Sequence, residues 1–269
     1  MIKKDTQGVM FAKGFTAAGV KAGIKKSGNL DVAVIYTKTQ AVVAGTFTQN
    51  KVAAAPVYVS KEVVATGTAH AIVANAGCAN ACTGQQGLDD AHKMAQIAAD
   101  ELGVNADDVI VGSTGVIGVN LPMDKLEAGI KDAVANLSAD GSGNAGRAII
   151  TTDTHSKSVT CEFELSGKTV RMGAIAKGSG MIRPNMATML CYITTDIAID
   201  QALLQKAVSG CVEKSFNMIS VDGDMSTNDM VIVLANGEAN NAKITEENAD
   251  YQIFFDKLII HTLGMIEWS

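Results

Sequence analysis

A chain of 269 residues, 47% hydrophobic and 19% charged, can bury a sizeable core in one large or two modest domains and is too apolar to remain disordered. Its net charge of −6, with no local basic patch, argues against a surface built for nucleic acid or an anionic membrane. No apolar run approaches the roughly 20 residues a bilayer span requires, and the opening Met-Ile-Lys-Lys lacks a secretory apolar segment, so a cytoplasmic protein is expected.

In chain order, residues 32–36 and 41–47 are β-rich runs on either side of a short polar stretch, a pattern that predicts a hairpin. Residues 71–74 and 109–111 are short apolar runs that fit strands. Between them, residues 89–102 set Met94, Ile97, Ala98 and Leu102 on one stripe, with acidic residues at the start and Gly103 as a stop. A second helix is predicted over 122–137, where Pro122 suits a first turn and Leu126, Ile130, Ala133 and Leu137 recur at helical spacing. The glycines and small polar residues of 138–146 read as an exposed loop. Later strands are predicted at 159–165, 169–175, 189–194 and 230–234, and a helix at 200–212. Strands and helices in this mixed order define an α+β or layered α/β fold. No Gly-x-Gly-x-x-Gly follows a strand, which argues against a dinucleotide-binding sheet. The tetrapeptide Ile-Thr-Thr-Asp occurs at 150 and 193, but its flanks differ and no repeat is inferred.

Five cysteines, Cys78, Cys82, Cys161, Cys191 and Cys211, are an odd number in a chain too large to need disulfide staples, and are read as reduced and mostly buried. Cys78 and Cys82 have no second pair to complete four metal ligands. Asp222, Asp224 and Asp229 cluster, yet lack the glycine and terminal glutamate of a calcium loop, and read as a turn network. The four histidines, His70, His92, His155 and His261, form no triad pattern and are assigned surface or helix-face positions.

The most informative stretch is 177–191, Lys-Gly-Ser-Gly-Met-Ile-Arg-Pro-Asn-Met-Ala-Thr-Met-Leu-Cys, which puts the Thr188 hydroxyl at the mouth of a buried strand. A threonine hydroxyl needs a base, and its own α-amino group serves once the Ala187–Thr188 bond is cut. That amine has a reference pKa of about 7.7 to 8.0, close enough to neutral to take and return a proton. The run Gly-Ser-Thr-Gly-Val-Ile-Gly at 112–118 follows a predicted strand and is glycine-rich enough to aim N–H groups at an oxyanion. By itself a loop of this composition is more often a plain tight turn or a phosphate cradle. Lys177, in a glycine-flexed loop, offers a charge to a carboxylate, or else is a solvated loop lysine.

Taken together, the motifs resemble the ornithine acetyltransferase family, the bifunctional glutamate N-acetyltransferases of arginine biosynthesis. The resemblance rests on Ala-Lys-Gly-Ser-Gly-Met-Ile at 176–182, Pro-Asn-Met-Ala-Thr-Met-Leu at 184–190 and Ser-Thr-Gly-Val-Ile-Gly at 113–118. Asn-Ala-Gly-Cys-Ala-Asn-Ala-Cys-Thr-Gly at 75–84, Thr-Thr-Asp-Thr at 151–154 and Val-Asp-Gly-Asp-Met-Ser-Thr-Asn-Asp at 221–229 add to it. It implies a self-processing fold of the N-terminal-nucleophile type, cut between Ala187 and Thr188 into an α chain of residues 1–187 and a β chain starting at 188. It further implies that Thr188 carries acetyl from N-acetylornithine to glutamate, and that Thr114 and Gly115 stabilise the oxyanion. Lys177 and Thr151 would contact the substrate, with Thr152 the alternative in the doublet. No metal or organic cofactor is implied; acetyl-CoA is a possible second donor, and the assembly expected is an αβ heterotetramer.

Two departures stand out. Arg183 replaces a small residue beside Pro184-Asn185, and after about residue 248 the match fades, where the family has an acidic, glycine-rich substrate motif. Glu267 is therefore given no substrate role, and the chain has roughly two-thirds of the family's length. A shortened non-catalytic relative and a self-processing amidohydrolase or aminopeptidase stand as alternatives.

Overall fold

The computed structural model describes residues 2–4, 7–178, 189–218 and 226–266, and the structural statements below concern these. The strands are β1 (Ile2–Lys4), β2 (Phe15–Val20), β3 (Val32–Phe47), β4 (Thr68–Cys78), β5 (Val109–Val116), β6 (Lys157–Leu165), β7 (Lys168–Lys177), β8 (Leu190–Thr195) and β9 (Met230–Ala235). The helices are α1 (Ala55–Thr66), α2 (Gly84–Leu102), α3 (Met123–Ala135), α4 (Ser142–Ile149), α5 (Gln201–Glu213) and α6 (Ala249–Ile266). All strands join one sheet in the order β1-β6-β7-β8-β9-β3-β4-β5, with β2 added to β3. The pairs β4–β5 and β8–β9 are parallel and the rest antiparallel. This is the mixed, layered α/β fold expected.

Alternation along the strands sets the layers, because successive side chains leave opposite faces. In β8 and β9, Leu190, Tyr192, Ile232 and Leu234 enter an inner core, while Cys191, Ile193, Val231 and Val233 meet α5 and α6. In the other half, Ile72 and Ile110 join the inner core, while Val34, Val73 and Val111 meet α2 and α3. The sheet curls until its halves face each other. β8 and β5 are separated by three strands, yet a Cβ added at Gly112 would stand 2.1 Å from the Tyr192 hydroxyl.

The expected hairpin at 32–47 is instead the single 16-residue strand β3. Its first part pairs with β2 and β4, its register shifts between Tyr36 and Ala41, and its last part pairs with β9. The polar stretch is an irregularity rather than a turn: Thr37 is buried, and its hydroxyl donates to the Thr39 carbonyl at 3.1 Å. The loop expected at 138–146 is also corrected, since α4 begins at Ser142 and packs Ala145, Ala148 and Ile149 into the inner core. Gly141, just before α4, and Gly19 of β2 serve close approach, not exposure. A Cβ on Gly19 would fall 2.2 Å from the Asn144 carbonyl, and one on Gly141 would fall 1.7 Å from that of Ala17.

Other elements match the sequence more closely. Gly103 closes α2 at φ 69°, a left-handed conformation that glycine adopts without a Cβ clash. Pro122 precedes α3, and Leu126, Ile130 and Ala133 are buried as the spacing requires. The four late strands and α5 fall within a residue or two of their expected bounds. The five cysteines are free, and only Cys82 is exposed.

Candidate active site

Strand ends and one short segment converge on a cleft of about 740 Å³, lined by Thr114, Gly115, Thr151, Thr152, Lys177 and Asn228 among others. The glycine-rich stretch after residue 111 is not a loop: β5 runs on to Val116, and its register with β4 slips at Gly77 and Cys78. Gly115 sits there at φ +132°, and a Cβ on it would lie 2.4 Å from the Gly77 carbonyl carbon. Only glycine fits that approach.

Lys177 is likewise no loop residue. It ends β7 and is 4% exposed. Its Nζ donates to Thr114 Oγ1 at 3.1 Å and to Thr151 Oγ1 at 2.9 Å. Thr114, Thr151 and Lys177, named from the sequence, thus meet in one cluster in which the lysine donates to both hydroxyls, with Gly115 next in the chain to Thr114. Burial pushes the Lys177 ammonium below its ordinary range, while Asp153 and Asp229 act to raise it and Lys157 to lower it further. Thr152 lines the same cleft, but it is Thr151 that meets the lysine. Ala187 and Thr188, the expected cleavage site and nucleophile, lie outside the described residues, as do Arg183, Asp222, Asp224 and Glu267.

Sequence reasoning missed the carboxylates that frame the lysine. Asp153, whose side chain is 2% exposed, accepts from Gly178 N at 2.7 Å and faces Lys157 Nζ at 3.5 Å. Lys157 Nζ in turn donates to the Gly178 carbonyl. Asp229 is 1% exposed and accepts the Met189 N–H at 3.0 Å. Desolvation pushes its carboxyl up to about 7, against the opposing pull of Met189 N–H, Ser226 and Lys177. Next to it, Asn228 donates to the carbonyls of Ala79 at 2.7 Å and Ser113 at 2.8 Å. The segment 226–229 therefore joins β5 to the start of β8. The signal was present in Thr-Thr-Asp-Thr and Ser-Thr-Asn-Asp, but not which carboxylate meets which lysine.

The opposite wall is the loop after β2. Asp31 shapes it by accepting from Ala22 N and Ile24 N, each at 2.6 Å, and from Lys25 N at 3.0 Å. Lys25 Nζ caps the end of α4 at the Ala148 carbonyl, 3.0 Å away. Lys25, Lys26 and Lys177 together line a cleft of positive character, suited to an anionic ligand. The histidines stand apart from it. His70 Nδ1 meets the Thr37 carbonyl, His92 faces Glu62 at 3.8 Å, and His155 meets Thr154. His261 is fully buried in α6, and among the described residues neither ring nitrogen has a partner.

A curled α/β sheet with this layering is a recognised architecture. The L-aminopeptidase D-Ala-esterase/amidase of Ochrobactrum anthropi, described as a new variant among the Ntn hydrolase fold, superposes with a TM-score of 0.55 over 98% of this chain and 86% of its own. Its 11% identity makes that likeness one of fold alone. The family model described as "ArgJ family" matches residues 16–263, and the chain belongs to that family. The arginine biosynthesis bifunctional protein ArgJ of Symbiobacterium thermophilum is 51% identical over 253 residues, covering 93% of this chain and 63% of the relative. The ornithine acetyltransferase of Mycobacterium tuberculosis, solved with ornithine, has a TM-score of 0.64 and 39% identity, covering 71% of this chain and 99% of that one. The chain spans about three-fifths of the length of the curated relatives it matches. No helix among the described residues is long and apolar enough to cross a membrane.

Proposed function

We propose that this chain is an acetyltransferase that cuts itself between Ala187 and Thr188 and then carries acetyl from N-acetylornithine to glutamate on the Thr188 hydroxyl. The observation that carries the reading is the Lys177 ammonium held between Thr114 and Thr151 in a lysine-lined cleft, one strand pairing away from Met189. Self-cleavage starts with attack of Thr188 Oγ on the Ala187 carbonyl. The C–N bond breaks, the amine takes a proton, and water hydrolyses the resulting ester to leave residues 1–187 and a chain beginning at Thr188. The solved ornithine acetyltransferase chain supports this division, since 99% of it is accommodated in 71% of the present chain, close to the share of residues 1–187.

In transfer, the freed α-amine takes the hydroxyl proton as Thr188 Oγ attacks the acetyl carbonyl of N-acetylornithine. Thr114 and Gly115 hold the oxyanion, a contribution of about a hundred- to a thousandfold per donor. Ornithine leaves with the returned proton, and the glutamate amine then attacks the acetyl ester. Lys177, assisted by Thr151, binds the substrate carboxylate. The steps run on side chains and substrates alone, and acetyl-CoA is a possible second donor for glutamate. We further assign the enzyme to the cytoplasm and expect the two pieces to pair and assemble as an αβ heterotetramer.

Intact-mass measurement of the freshly purified chain beside Thr188→Ala tests the reading. Two fragments meeting at 187/188 in the wild type and one uncut chain in the variant are expected, with acetyl transfer to glutamate confined to the wild type. An uncut wild type, or transfer that persists in Thr188→Ala, overturns it. Acetate release to water without glutamate would instead mark a hydrolase.

A further inference from the structure

Asp229 is a buried titratable group that meets Met189, the residue following Thr188 in the chain, and the reaction above does not use it. It precedes β9, and its Oδ1 accepts the Met189 N–H at 3.0 Å. Met189 is also held from its other side, where its carbonyl accepts Met230 N–H at 2.9 Å. The Asp229 carbonyl is tied down in turn by Thr48 N–H at 2.9 Å. Asn228, one residue earlier, is pinned to Ser113, the neighbour of Thr114. An aspartate whose own backbone carbonyl is tied down and whose preceding residue is pinned therefore accepts, through one carboxylate oxygen, the amide N–H of the residue that follows Thr188. Its second oxygen, Oδ2, is buried and has no hydrogen-bond partner among the described residues.

Nothing in simple β pairing asks for an aspartate here. A backbone carbonyl or an ordered water would satisfy the Met189 N–H without burying an ionisable group, which costs free energy unless its charge or its geometry is used. Lys177 lies close enough to pull the Asp229 carboxyl down, so the cleft lysine and the residue after Thr188 both interact with Asp229.

We infer that Asp229 is a positioning residue: through the Met189 N–H it sets the orientation of the peptide that carries Thr188, and so the line of attack on the Ala187 carbonyl. The inference rests on the self-cleavage reading. It acts by accepting a hydrogen bond, so an asparagine, whose side-chain oxygen accepts in the same place, should replace it, and an apolar residue of the same size should not.

The test compares wild type, Asp229→Asn, Asp229→Leu and Asp229→Ala by intact-mass time courses of cleavage, with thermal unfolding as the check on folding and hydrogen exchange read at the Met189 amide. Expected are cleavage within about threefold of wild type and retained Met189 protection in Asp229→Asn. Folded Asp229→Leu or Asp229→Ala should lose that protection and cut at least tenfold more slowly. The inference falls if a folded Leu or Ala variant cuts at the wild-type rate, or if Asp229→Asn is as slow as they are. It falls also if Leu and Ala both fail to fold while Asn behaves as wild type, since that assigns Asp229 to stability alone. A wild type that never cuts overturns the reading under Proposed function and this inference with it, whereas a wild type that cuts beside an unaffected Asp229→Ala overturns this inference alone.

Discussion

Burial lowers the proton affinity of Lys177, and the neighbouring carboxylates of Asp153 and Asp229 work against that loss. A charge kept in such a place is costly to the fold unless it serves a ligand. Lys177→Met keeps the length of the side chain and removes the charge. Acetyl transfer should fall by about a hundredfold or more, as when one partner of a buried, hydrogen-bonded charge pair with a ligand is deleted. Thermal stability should hold or rise, because a desolvated ammonium is replaced by packing. Steady-state rates and melting curves on the same preparation check both, and a variant that keeps its rate would remove Lys177 from the reaction. Thr114, Gly115 and Lys177 were legible in the sequence because each sits in a dense local motif. Their partners were not: Asp229 meets Met189 across 40 positions of chain, and Lys177 meets Thr114 across 63. Spacing along a sequence carries no information about pairing at that range; the sheet supplies it.

Elements were legible where the apolar pattern admits a single reading. α2 and α3 announce themselves by an apolar stripe, and β8 and β9 by unbroken apolar runs buried on both faces. α4 was hidden because Ser-Gly-Asn-Ala-Gly has the composition of a loop, yet its small residues let it nest inside the curled sheet. α1 was hidden by four valines, which favour strands, among its twelve residues. The curl has its own test at the contact between β5 and β8. Gly112→Ala drives a methyl against the Tyr192 ring, which is fully buried and cannot step aside, and should cost about 1–3 kcal/mol. Tyr192→Phe removes a hydroxyl that has no partner among the described residues, and should be neutral or stabilising. Combined, the two substitutions should recover most of the loss, since the ring carbon bearing the hydroxyl lies 3.4 Å from the added methyl. Additive losses in denaturant titrations of the double-mutant cycle would rule out this contact.

Across the whole molecule, two buried groups oppose each other in the response to pH. Desolvation holds His261 down to about 3, so between there and the unfolded value of 6.5 the unfolded chain binds more protons and stability rises with pH. Asp229 is held up to about 7 from 3.8, so over that window the folded chain binds more protons and stability falls as pH rises. The slopes overlap between about pH 4 and 6.5 and oppose each other, with buried Asp196, also raised by desolvation, acting in the same sense as Asp229. Relative to the wild type over that window, melting temperature should fall more steeply with rising pH in His261→Leu and shift toward a rising slope in Asp229→Asn. Parallel profiles in all three proteins would contradict the assignment. The sheet order has a different consequence. β8 lies between β7 and β9, and β9 between β8 and β3, so a cut before Thr188 frees a piece whose strands β8 and β9 stay inserted in the middle of the sheet. Two ladders, of six residue pairs each, then hold it there. Before the cut, a lost fold is recovered by one chain acting alone; after it, the halves must find each other by diffusion, and dilution works against them. Maturation would thus give the protein a history: assembled once as a continuous chain, it could be lost to heat but not readily rebuilt from its parts, and its lifetime would be set by the rate of first unfolding.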